Sequence, residues 1–366
     1  MKKVLLVILM FFISIGFVFA ENTKILPSQL GLVKSVEYID MNDEVAQVKQ
    51  KAEVELLSKD FKGNVLYLDN ILTGNPYYDI KLKKGMKVVL HVEEDADENL
   101  VYSIEDVQRA PVLMFLSLLF CGLLVYVGRK KGVTSLISIL VTCVLIINFL
   151  TPMILAGFNP ILSTMLICIL STAITMYFVG GFNRKSSSAT IGCILSLIFA
   201  GVLSLLTVKI ASLSGFSSEH SLFLYSARPE LSFVAIAVSM MILATMGAVM
   251  DVAMSIASTI NEISEIDSSK SPKELFFSGM NVGKDIIGTM ANTLILVYLG
   301  ASLPLLLLTS NIDLQKFLNL NQVVTEIASA LIGSIAIVIC VPITAFIASV
   351  LVKKETCFKE LSTFEE

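Results

Sequence analysis

Residues 231–257 read LSFVAIAVSMMILATMGAVMDVAMSIA. The run is apolar from end to end except for a few hydroxyls and one carboxylate, Asp251. It exceeds the ~20 residues that a helix needs to cross about 30 Å of hydrocarbon. Runs of the same character recur at 112–128, 132–150, 160–180, 189–213, 287–308 and 327–352, the first being the shortest. Lipid offers no water to backbone N–H and C=O groups, so such runs must be helices. Residues 111–352 are therefore read as a polytopic α-helical membrane domain of about seven transmembrane helices.

Composition agrees. Of 366 residues, 55% are apolar and 16% charged, with a mean hydropathy of +0.80; soluble domains carry about 25% charged residues. The formal net charge of −4 and the lack of any long Lys/Arg block exclude nucleic acid as a partner. The six cysteines, at 121, 143, 168, 193, 340 and 357, show no C-x-x-C spacing. Disulfides and zinc sites are not expected, and the first five read as small fillers of helix interfaces. There is no P-loop, no G-x-S-x-G and no H-E-x-x-H, and only His91 and His220 are available for histidine chemistry. No enzymatic activity, metal or cofactor is expected.

The N-terminus, MKKVLLVILMFFISIGFVFA, has basic Lys2 and Lys3, an apolar core, and Val18 and Ala20 at the −3 and −1 positions. That is the layout of a signal peptide over residues 1–20; an uncleaved signal anchor is the alternative. Both readings put residues 21–110 outside the cytoplasm. This segment is charged, and EVAQVKQKAEVELLSKD, GNVLYLDN and MKVVLHVEED alternate apolar and polar residues at the period of a half-buried strand. Turns fall at Lys62-Gly63, at Thr73-Gly74-Asn75-Pro76 and at Lys84-Gly85. About five short strands predict a small extracytoplasmic β domain, OB-like or a sandwich.

The flanking charges orient the helices. With residues 21–110 outside, Arg129-Lys130-Lys131, then Arg184 and Lys185, then Lys270, Lys273 and Lys284, and finally Lys353, Lys354 and Lys359 all fall inside. The outside loops hold only Arg228 and Lys316. This asymmetry follows the positive-inside rule, makes residues 353–366 a cytoplasmic tail, and predicts a multi-pass protein of the cell membrane.

Asp251 lies in the inner half of the fifth apolar run. Asp251, Ser255, Ser258 and Glu262 stand at i, i+4, i+7 and i+11, on one helical face, with Gly247 one turn before, where a neighbouring backbone is expected to approach. On the next helix Asp285, Gly288 and Asn292 share a face, with Thr293 beside them. A carboxylate at mid-bilayer costs roughly 2.5–3.5 kcal/mol on insertion scales, so these stripes are expected to face the bundle interior or a wet cavity. The candidate polar path is Asp251, Ser255, Ser258, Asn292 and Thr293, with Asp251 opposite Asn292; Glu262 and Asp285 are secondary. The plainer alternative makes Asp251 and Asn292 helix-to-helix hydrogen-bond partners, worth about 0.6 kcal/mol on average. Asp285, near a helix start, also suits the helix dipole. An acid pair for proteolysis would need Asp251 and Asp285 together, and neither sits in a dyad-like pattern. The methionines of this helix (Met240, Met241, Met246, Met250 and Met254) read as plastic packing surface. In the loop that follows, Ser271-Pro272 has the form of an N-cap and first helical residue.

GAVMDVAMSIAS (247–258), GKDIIGTMANTLILVYLGASLPLLLL (283–308) and LTGNPYYDIKLKKGMKV (72–88) together resemble the YibE/F-like family of bacterial multi-helix membrane proteins. The resemblance implies an integral membrane protein with this domain order and names no substrate. In the family pattern two acids stand together before the Val; here Met250 takes the first place, which counts against any mechanism that needs the pair. Two functions remain open: a transporter-like or permease-like protein, or a membrane scaffold or sensor whose outer domain binds a ligand or partner. The expected partners are the lipid bilayer and a homologous membrane subunit or a second copy of the chain.

Overall fold

A computed structural model describes residues 27–40, 48–58, 61–94, 99–307 and 312–363, with side chains to 352. The expected signal segment, residues 1–20, lies outside the described residues. The chain divides into two compact units between Leu123 and Leu124.

The N-terminal unit contains five antiparallel strands: β1 (Gln29–Asp40), β2 (Val48–Leu56), β3 (Val65–Leu72), β4 (Lys87–Glu94) and β5 (Leu100–Val107). Their order in the sheet is β3-β2-β1-β4-β5. The long β1 pairs with β2 through Gly31–Asp40 and with β4 through Gln29–Leu32, and a register shift between Val33 and Ser35 bends it. β3 and β5 approach each other at the open seam, so the unit is the partly open, OB-like barrel rather than a sandwich. Alternation does what the sequence indicated: Ala52, Val54 and Leu56 of β2 meet Val88 and Leu90 of β4 in the core. Gly31 makes this possible, because a Cβ there would collide with Val54 Cγ1.

One inward position breaks the pattern. Gln50 is fully buried on β2. Its Oε1 accepts from the Leu82 amide at 3.1 Å and from Asn70 Nδ2 at 2.9 Å, and its Nε2 donates to the Leu82 carbonyl at 3.3 Å. Asn70 also donates to the Ile80 carbonyl at 2.7 Å. The long β3–β4 connection is thereby tied to the barrel wall by two side-chain amides. Within that connection the Asp79 carboxylate accepts from the Thr73 amide and hydroxyl and from the Gly74 amide. Desolvation opposes its charge, but these bonds outweigh it and hold Asp79 below the usual carboxylate range.

The helical unit begins within α1 (Ala110–Leu145), which continues through a π-helical turn (Ile146–Leu150) and the short α2 (Thr151–Leu155). Then follow α3 (Pro160–Gly180), α4 (Arg184–Ile210), α5 (Glu219–Ala227), α6 (Phe233–Ile266), α7 (Pro272–Ala301), α8 (Leu303–Leu307), α9 (Leu314–Leu318) and α10 (Asn321–Thr363). Among the described residues six helical runs are long and apolar enough to cross a membrane. The expectation was about seven. The difference lies in the run 110–155, which joins the first two apolar stretches over 46 residues, about 69 Å at 1.5 Å per residue. It breaks at Arg129 (φ 47°, ψ −123°), where a non-glycine residue in the positive-φ region is strained. The break brings Gly132 against the Leu124 carbonyl, residues that a straight helix would hold about 12 Å apart.

α10 is the hub: it packs on α4, α6 and α7, and α4 packs on α6. Their contact surfaces are small or apolar, with Ala189, Cys193 and Leu197 of α4 against Ala336, Cys340 and Ala345 of α10 in one core. Buried hydroxyls on α4 bond back to their own helix, Ser196 to the Gly192 carbonyl and Ser204 to the Ala200 carbonyl, each at 2.8 Å. Two helices extend beyond their apolar runs. α7 starts at Pro272, as the Ser271-Pro272 pair indicates, and not at 287 where the apolar run begins, because Lys284 and Asp285 lower the hydropathy of a segment whose Leu275 is fully buried. α10 runs on to Thr363 rather than ending in a tail at 352.

Expressed alone, residues 21–108 should be soluble and give a β-type circular dichroism spectrum. Gln50→Ala leaves the Leu82 amide without its partner and the Leu82 carbonyl with the Tyr38 hydroxyl alone, at 3.4 Å, an expected cost of about 2 kcal/mol. For a domain of this size that lowers the thermal midpoint by roughly 8–16 °C. An unchanged midpoint would mean that the β3–β4 connection is held by other contacts.

Candidate functional site

α6 starts after Ser232, whose hydroxyl accepts from the Ala235 amide, and its sides differ sharply. Val252, Ala253, Ile256, Ala257 and Ile260 have no exposed surface. Asp251, Ser255 and Glu262 are exposed and Ser258 is half-buried. The four therefore share a face, as their spacing implies, and it is the face turned away from the core.

Asp251 lines a half-open cavity of about 400 Å³ bordered by α1, α3 and α6. Ser135, Ser138 and Thr142 of α1 and Thr175 of α3 stand on its walls, together with methionines of α6. Thr142 shares a hydrogen bond of 2.7 Å with Ser171 of α3, which links the two walls. The Ser138 side chain is only 3% exposed, and its hydroxyl has no hydrogen-bond partner among the described residues. No described residue donates a hydrogen bond or ion pair to the Asp251 carboxylate, and no Lys, Arg or His lines the cavity. One carboxylate thus meets several hydroxyls in an otherwise apolar space, an arrangement able to hold a single positive charge.

This corrects the expected pairing of Asp251 with Asn292. No residue of α7 lines the cavity. The reason is angular. α7 rests on α6 through Gly279 against Ile260 and Gly283 against Ile256. Ile260 is nine positions beyond Asp251, about 180° around a helix that turns 100° per residue. Asn292, Thr293 and Asp285 are all exposed on α7, and the Thr293 hydroxyl bonds back to the Thr289 carbonyl at 2.9 Å. Ser255, Ser258 and Glu262 also lie outside the cavity walls. Gly247 lines the cavity, yet nothing lies within 4 Å of a Cβ built on it. The close backbone approach expected there falls instead at Gly192 of α4, against Thr344 of α10, while Gly279 and Gly283 of α7 receive side chains of α6 and α10. Ser271 does cap α7: the Glu274 amide donates to its hydroxyl, the Glu274 carboxylate accepts from its amide, and Pro272 opens the helix.

The sequence did hold a signal for the missed wall. Ser135, Ser138 and Thr142 stand at i, i+3 and i+7 within the run 132–150, the same one-face spacing that singled out Asp251. A second carboxylate was also missed. Glu326, at the start of α10, lines a separate cavity of about 310 Å³ with Tyr298 and Ser302 of the α7 end.

A family described as YibE/F-like protein matches residues 116–354, and the YibE/F family N-terminal domain matches residues 29–107. Neither the curated proteins nor the solved structures compared with the chain contain a match.

The packing of α7 generates a paired prediction. A Cβ on Gly283 would collide with Val341 of α10, whereas the space around Gly288 is empty to 4 Å. Gly283→Leu should cost about 1–3 kcal/mol through overpacking and lower the thermal midpoint of the purified protein. Gly288→Leu should leave it unchanged. Equal effects would remove the assigned face of α7.

Proposed function

This chain belongs to the YibE/F-like family, and from that premise we propose that it is a transporter-like or permease-like membrane protein, with Asp251 as the charge-handling group of its path. The observation that carries this reading is the Asp251 carboxylate, free of any partner among the described residues, on the wall of a cavity between membrane-spanning helices. A carboxylate at such depth costs roughly 2.5–3.5 kcal/mol, and insertion at that cost marks ion and substrate pathways. The path is proposed to run along α6 from the cavity past Ser255 and Ser258. Asn292 and Thr293, exposed on α7, stay candidates for the face that meets a second subunit, either a homologue or another copy of the chain. The proposed topology places residues 21–110 outside the cell and the C-terminus in the cytoplasm, with two crossings in the broken run 110–155.

A second reading has its own support. The β unit exposes Tyr67 (83%), Tyr77 (76%) and Tyr78 (72%), side chains with an apolar body and a polar tip that favour interfaces. In that case the β unit captures a ligand or partner and the helices anchor it.

Two experiments separate these readings and test the topology. Flux through proteoliposomes, or complementation of a deletion strain, is measured for wild type, Asp251→Asn and Asp251→Leu. If Asp251 handles charge, both variants insert normally and both lose at least about 90% of activity, a barrier change of roughly 1.4 kcal/mol or more. If Asp251 only bonds helix to helix, Asn restores function. A reporter active only in the cytoplasm should work after Lys131, Lys185 or Glu366 and fail after Ala156, Ser218 or Asn311. A cytoplasmic signal at Asn311 overturns the topology.

A further inference from the structure

We infer that the Asp251 cavity takes a compact organic ammonium ion, one with N–H donors on its nitrogen and an apolar body. The inference rests on the transporter reading and names its substrate class.

Size argues against a bare inorganic cation. The cavity holds about 400 Å³, whereas one water occupies about 30 Å³ of liquid. A monovalent ion with a partial water shell fills a fraction of that space, while small organic ligands occupy pockets of about 300–1,000 Å³. The lining sets the charge. Asp251 is its one acid and no basic residue shares the walls, so the complement is a monocation.

The lining also sets the kind of cation. No aromatic side chain faces the cavity, and a quaternary ammonium is recognised by aromatic cages. Recognition must therefore pass through N–H donors. Two of the acceptors on the wall have the strongest need of a donor. One is the Asp251 carboxylate, and the other is the Ser138 hydroxyl, buried without a partner among the described residues. A buried polar atom left unpaired costs free energy that a donor brought by a ligand recovers. Thr142 is already engaged by Ser171, and among the hydroxyls of the wall Ser138 is the one buried without a partner among the described residues.

The rest of the wall receives the apolar body. Met246, Met250 and Met254 follow one another at i, i+4 and i+8 on α6, and Met176 faces them from α3. Flexible thioether side chains fit ligands of varied shape. Thioethers also bind soft metals such as cuprous ion, but three of these four are committed elsewhere. Met176 and Met246 are 2% and 6% exposed within the core cluster, and the Met250 sulfur accepts from the Thr172 hydroxyl at 3.5 Å.

The test uses the purified full-length protein with tritiated adamantylammonium, whose cage is apolar and whose nitrogen carries three N–H donors. Adamantanol, the N-trimethyl analogue, radioactive sodium and silver ion are run beside it. Saturable binding of adamantylammonium is expected. Asp251→Asn should weaken it about tenfold or more, and Ser138→Ala about three- to tenfold, the range for charged and neutral hydrogen bonds respectively. Ser138→Ala should not lower the thermal midpoint of the ligand-free protein, since it removes an unsatisfied hydroxyl. The alcohol and the trimethyl analogue should each bind at least about tenfold more weakly than the ammonium. Equal binding of the trimethyl analogue, or binding that survives Asp251→Asn, overturns the inference. If sodium or silver binds in an Asp251-dependent way and the ammonium does not, the substrate class falls and the transporter reading stands. If no probe binds, both fall together.

Discussion

The helical unit depends on how closely α10 approaches its neighbours. Gly192 of α4 lies directly against Thr344, and Gly283 of α7 against Val341. In a bilayer no hydrophobic force drives one apolar helix onto another, because lipid tails are equally apolar. Association rests on close packing, which small residues permit. The interior of this bundle follows that rule, with Ala, Ser, Cys and Gly on α4 and α10 and larger side chains supplied mainly by α6. Each buried hydroxyl of α4 that bonds to its own helix removes a polar debt without needing a cross-helix partner.

That packing decides where polarity can remain. α6 gives its Val252–Ile260 face to α4, α7 and α10, so the opposite face, with Asp251 and Ser255, is left over. α1 and α3 border a half-open cavity at the leftover face. At this edge the Asp251 carboxylate meets hydroxyls on α1 and α3. Asp251 is thus positioned by what the core excludes as much as by what it attracts.

The β unit solves its polar problem differently. Its long β3–β4 connection has few apolar side chains to bury, and Leu82 is the main one, with no exposed surface. Burying Leu82 also buries its amide and carbonyl, which must find partners. Gln50 supplies both from within the barrel, and Asn70 fastens Ile80 beside it. A polar residue on an inward position of a strand is therefore the device that seats the loop.

Read by itself, the sequence determined the class of fold: apolar length demanded helices, and period-two alternation demanded strands, because lipid and a half-buried sheet each impose one repeat on the chain. It also determined that Asp251, Ser255, Ser258 and Glu262 share a face, since helical geometry alone sets that. It carried no information on which helix stands opposite, and the Asp251–Asn292 pairing failed for that reason: adjacency along the chain is not adjacency around a helix axis. Gly247 misled in the same way, because a glycine's lack of Cβ reveals a possible contact and not an actual one. The break at Arg129, the bonds that seat the inward Gln50, the closeness of the Ser135–Thr142 stripe to Asp251 and the unpartnered Ser138 hydroxyl came only with the tertiary structure. Each depends on the direction in which a neighbouring segment approaches, and that is settled by packing of the whole unit rather than by local pattern.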